Sequence, residues 1–164
     1  MKSFSLRFSA FSLVEITLAI GVAGFALLAI MGLLATGTQV NQTAIEQTAS
    51  SDILTAVAAD LRAAPKTTPP GGPTSSPQFA INIPANPVPS PAPTPSTLYF
   101  SAQGQSATTR GADSRYRMVV TFLPNGPGAR TATLVELRTT WPAAADPAGV
   151  NTGAAETFVA LDRN

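Results

Sequence analysis

Between Arg7 and Glu46 the only ionisable side chain is Glu15. It stands in the stretch FSAFSLVEITLAIGVAGFALLAIMGLLATG, residues 8–37. A carboxylate at the centre of a bilayer costs about 2.5–3.5 kcal/mol, less towards the interface, and calls for a cationic partner. The chain offers no Lys or Arg between Glu15 and Arg62. A new N-terminus would supply a cation. A cut between Ala10 and Phe11 would leave an ammonium on Phe11, four residues from Glu15.

Other reactive chemistry is sparse. The 164 residues include no His and no Cys, which removes the commonest general base, the commonest metal ligand and every thiolate reaction. Asp113, Glu136, Asp146, Glu156 and Asp162 fall at no spacing that converges two carboxylates. Without clustered Asp there is no calcium loop. The Gly-rich stretches NGPG and PPGGP lack the Lys-Ser/Thr of a phosphate loop. Beyond the first ten residues the single Lys is Lys66. No enzyme, metal or cofactor is expected. A formal net charge of +1 without a Lys/Arg run argues against nucleic acid. Arg110, Arg115, Arg117, Arg130 and Arg138 read as a solvated face, with a subunit contact as the alternative. Trp141 reads as a core plug rather than a ligand platform.

What must position Glu15 is a helix. Ile16 to Ala35 are 20 consecutive residues without a charge, and at about 1.5 Å per residue they match a hydrocarbon core. Lys2 and Arg7 precede them, which places the N-terminus in the cytoplasm and the rest outside. Three readings fit such a segment. A cleavable signal peptide normally has a shorter apolar core without a carboxylate at its start. A plain single-pass anchor leaves Glu15 near the interface by accident. In the third reading Glu15 is the point of the segment.

The third reading carries a resemblance. AFSLVEITLAIGVAGFALLAI is similar to the class III signal of type IV pilins and type II secretion pseudopilins: a short basic leader, a small residue, an aromatic, Glu at the fifth mature position, then about twenty apolar residues. The leader would be residues 1–10, with Ala10 where the family usually has Gly. Gly32 stands where many pilins have a helix-bending Pro. The resemblance implies cleavage after Ala10 by a prepilin peptidase and N-methylation of Phe11. It also implies storage in the lipid of a bacterial inner membrane with the C-terminal part periplasmic, then assembly with other pilin or pseudopilin subunits. Glu15 would there neutralise the Phe11 ammonium of a neighbour. Within that family the VELRTTW and TFVALDRN segments look like minor pseudopilins, or like the Verru_Chthon cassette proteins that share the signal. An anchored binding module that never polymerises remains the alternative.

The remaining chain reads as an α+β domain of pilin-like architecture, a long N-terminal helix packed on a small antiparallel sheet. After the transmembrane helix at 11–37, residues 38–64 continue as an amphipathic helix, with Val40, Ala44, Ile45, Ala49, Ile53, Val57 and Leu61 as the stripe that packs on the sheet. Pro65 ends it. Residues 65–96 hold eleven of the fifteen prolines and are expected to be an extended linker without strands. The β domain is 97–164, with strands expected at 97–103, 115–123, 131–141 and 156–162 and a turn at Asn125-Gly126. In the second strand Tyr116, Met118, Val120 and Phe122 form the inner face. In the third it is Val135, Leu137, Thr139 and Trp141.

Overall fold

The computed structural model of the chain describes residues 12–65, 74–125, 132–144 and 153–163. Among the described residues it is an α+β arrangement of one long helix, α1 (Leu13–Ala63), and seven antiparallel strands. The chain divides into two units, Met1–Ala44 and Ile45–Asn164.

In the first unit α1 is long and apolar enough to cross a membrane. Its large side chains face outward on every side, Leu13 and Phe25 among the most exposed. A helix apolar all round is matched to a lipid or protein surround rather than to water. Thr17, Thr36 and Thr38 fold their hydroxyls back onto carbonyls three or four residues earlier, at 2.9, 3.3 and 2.9 Å. Their polar atoms are thereby satisfied within the helix.

In the second unit the sheet has the order β4-β3-β5-β6-β7. Its strands are β3 (Ser96–Ser101), β4 (Ser106–Ala107), β5 (Ser114–Phe122), β6 (Thr133–Trp141) and β7 (Gly153–Leu161). The four expected strands are present within a few residues of their expected ends. The alternation holds as well: Tyr116, Met118, Val120 and Phe122 are buried, as are Val135, Leu137, Thr139 and Trp141. These face Ile53, Leu54, Val57, Ala58 and Leu61 of α1 in one core. Strand β4 returns along β3 through a turn in which Gly104 takes a left-handed φ of 79°, favourable only for glycine. Gly126 of the expected Asn125-Gly126 turn lies outside the described residues.

The helical stripe is shifted from its expected line. Ile45 and Val40 are 60% and 63% exposed. The buried residues are Glu46, Ser50, Ile53, Leu54, Val57, Ala58, Asp60 and Leu61. Steps of four residues drift around a 3.6-residue helix, so Ile45 points roughly 130° away from the centre of that face. Continuing the stripe back from Ala49 by fours therefore overshoots the core.

The Pro-rich stretch departs further from expectation. Within it β1 (Thr74–Ser75) pairs with β2 (Asn82–Ile83), and Phe79, Ile81, Ile83 and Val88 are buried in the core. Phe79 meets Phe100 edge-on, with ring centroids 5.6 Å apart. The prolines leave one window open: residues 78–83, QFAINI, lie between Pro77 and Pro84 and contain none. This apolar hexapeptide is able to pair and to pack despite the Pro-rich composition of 65–96.

Trp141 is the core plug expected. It is buried, stacks edge-on against Tyr116 at 6.1 Å, and lies over Gly153, its cross-strand partner on β7. A Cβ on Gly153 would come within 2.1 Å of the indole. Gly153→Ala should therefore destabilise the domain by about 1–3 kcal/mol, the usual cost of overpacking. In Trp141→Leu the same change should cost much less, a coupling that thermal melts of the double-mutant cycle would read.

Candidate functional site

The N-terminus of α1 is set by Ser12. Its carbonyl accepts from Ile16 N at 3.1 Å, and its hydroxyl accepts from Val14 N at 3.3 Å. Ser12 is thus the N-cap and Glu15 is the third helical residue. Ser-x-x-Glu is the spacing of a capping box, and a carboxylate in the first turn faces the positive end of the helix dipole. The four letters SLVE carry a local signal for this cap. Ala10 and Phe11 lie outside the described residues.

The second unit contains two carboxylates that sequence reasoning missed. Glu46 of α1 is buried and pairs with Arg115 at the start of β5. Arg115 is accordingly not part of a wholly solvated arginine face. Its backbone carbonyl also accepts from Ala143 N at 2.8 Å, which holds the chain after β6. Arg138 keeps to the outer face, opposite Glu156 on β7. Arg130 lies outside the described residues.

Asp60 is buried near the end of α1 and accepts two backbone hydrogen bonds, from Gln78 N at 2.8 Å and Phe79 N at 3.0 Å. Ser76 completes the turn by accepting from Ile81 N at 3.1 Å. One carboxylate therefore holds the Pro-flanked loop against the helix. At the other end of the chain Arg163 donates to the Pro84 carbonyl, tying the terminal segment to the same loop. Neither contact has a local sequence signal, since both bridge distant residues.

Tyr116 sits beneath Trp141, and burial pushes its hydroxyl above the usual value of 10, with Arg115 pulling it partly back. The folded state thus holds this proton more tightly than the unfolded chain. The associated stability is complete below pH 10 and is lost as pH rises beyond it. Thermal midpoints measured from pH 9 to pH 11, roughly spanning that value, should fall more steeply for the native chain than for Tyr116→Phe.

A cleft of about 460 Å³ is lined by Thr74, Asn82, Ile83, Pro84, Pro93 and Phe122 among others, with no ionisable side chain. Among the described residues no three acidic side chains gather in a metal-binding arrangement. No protein-family model, curated protein or solved structure matches this chain.

Proposed function

We propose that this protein is a non-enzymatic, pilin-like subunit, a minor pilin or pseudopilin. In this reading it is cut after Ala10 by a prepilin peptidase, methylated on Phe11 and assembled through its stem into a type IV pilus or a type II secretion pseudopilus. One observation carries the reading. The helix that begins at Ser12 has Glu15 in its first turn, exposes every large apolar side chain as far as Val40, and runs on into the helix packed on the sheet. A lipid bilayer accounts for the exposed stem, but not for a carboxylate at its leading end. A neighbouring subunit accounts for both. Glu15 meets the Phe11 ammonium of the next chain, and the two desolvated charges satisfy each other and set the axial register. A first-turn place at the positive end of the helix dipole and pairing with a neighbour are compatible for one carboxylate.

The N-terminal peptide, sequenced by mass spectrometry from the native membrane, tests this directly. A chain beginning at N-methyl-Phe11 is the expected result. A chain still beginning at Met1 in cells with an active prepilin peptidase would overturn it, and would leave a membrane-anchored binding module that does not polymerise.

A further inference from the structure

The two edges of the sheet are built differently. On one side β4 is two residues long and β3 carries a register shift between Phe100 and Ser101. Short strands and bulges discourage pairing with a foreign chain. On the other side β7 runs nine residues in unbroken register with β6. It contains no Pro, Lys or Arg, and its one charged residue, Glu156, stands opposite Arg138 of β6. Among the described residues no strand pairs with its outer side, which leaves a row of backbone donors and acceptors there.

A groove of about 300 Å³ runs between α1 and this strand. Its lining includes the buried Leu54, Ala58 and Val159, the short side chains of Ser51 and Thr55, Arg62, and Phe158 of β7. Arg62 is exposed, is the groove's one ionisable residue, and has no ion-pair partner among the described residues. By strand alternation the Phe158 side chain turns outward from the edge of this groove and is 58% exposed, and Leu134 of β6 is 47% exposed. Leu134 faces Ala160, so the two are diagonal neighbours across the strands. They are the only exposed large apolar side chains described outside α1.

We infer that β7 accepts an extended segment of a different polypeptide as a sixth strand of the sheet. The chemistry of that segment follows from what it must satisfy. An extended strand is the partner that matches a row of alternating backbone donors and acceptors along its whole length. Its inward side chains enter the groove on Leu54 and Ala58 and are apolar, with one carboxylate placed to reach Arg62. Its outward side chains cover Phe158. A second copy of β7 does not meet these terms. In an antiparallel pair about a two-fold axis its inward residues are Gly153, Ala155, Thr157, Val159 and Leu161, and its one acid, Glu156, falls on the other face. The inference stands on the sheet edge and does not depend on how the stem is processed.

The test places a photo-crosslinking residue in turn at Ala154, Glu156 and Phe158 of the full chain in its native membrane, then sequences the cross-linked peptides. The expected result is one partner segment, touched at steps of about two residues per step of two along β7, with an Asp or Glu within it. Arg62→Glu should lower the yield by about tenfold or more, as charge reversal at an interface does, and Arg62→Lys should preserve it. An unchanged melting temperature of both variants would separate this loss from misfolding. Capture of this chain's own residues 153–161, of lipid alone, of scattered peptides or of nothing would overturn the inference. So would an Arg62→Glu variant that cross-links as well as the native chain.

Discussion

Glu15→Ala and Glu15→Gln should both leave the chain in the membrane, cleaved and methylated at Phe11, yet unable to co-purify with other subunits. The expected loss is large. Removing one partner of a buried ion pair typically costs about 3–5 kcal/mol, because the other charge stays buried and uncompensated. About 3 kcal/mol is already more than a hundredfold in an association constant. The glutamine variant separates the two uses of this side chain. Its amide can still accept a hydrogen bond at the third position of the helix, as Gln does in capping boxes, so a role confined to capping Ser12 predicts that Gln behaves like the native residue. Pairing with an ammonium requires the charge, so Gln should fail as Ala does. Quantifying recovered partner subunits against membrane-extracted protein reads both variants. Assembly by the glutamine variant at the native level would remove the ionic latch from the proposal.

Asp60→Ala should destabilise the second unit by about 3 kcal/mol. The carboxylate accepts from Gln78 N and Phe79 N at 2.8 and 3.0 Å in a site where it is only 6% exposed. Hydrogen bonds to a charged group contribute about 1.5–3 kcal/mol each, and losing the acceptor leaves two backbone N–H groups without a partner. The Phe79 amide is itself buried, so water cannot readily replace the lost oxygen. Asp60→Asn retains one acceptor oxygen and should recover part of the loss. Chemical denaturation of the two variants measures both values. Proteolysis should also show cleavage in residues 74–88 before the sheet opens, since Phe79, Ile81 and Val88 keep their place through this clamp. A melting curve unchanged by Asp60→Ala would mean that the loop is held by its apolar side chains alone.

The sequence alone determined the parts governed by local periodicity. The uncharged run from Ile16 to Ala35 is long enough for a bilayer-spanning helix. Strict alternation in RYRMVVTF and in TLVELRTTW dictates a half-buried strand, because a one-residue slip would expose Met118 and Leu137, both fully buried in the core. The candidate role of Glu15 was equally legible, since a lone carboxylate in an apolar run stands out whatever the fold. The N-cap Ser12, three residues before it, was present in the same four letters.

Only the tertiary structure decided what depends on residues far apart in the chain. The helical face is centred through Ser50, Leu54 and Val57 rather than through Ile45, because packing on the sheet selects one angle from several that the apolar spacing allows. Glu46 and Asp60 look like solvated helix charges until Arg115, and the Gln78 and Phe79 amides, arrive from 69, 18 and 19 residues away. The loop at 74–88 reads as Pro-rich linker by composition. It is ordered by burial of Phe79, Ile81 and Ile83, contacts that a local window cannot register. The open edge of β7 is likewise a property of strand order: the sequence specifies a nine-residue strand, and only the topology leaves it last in the sheet.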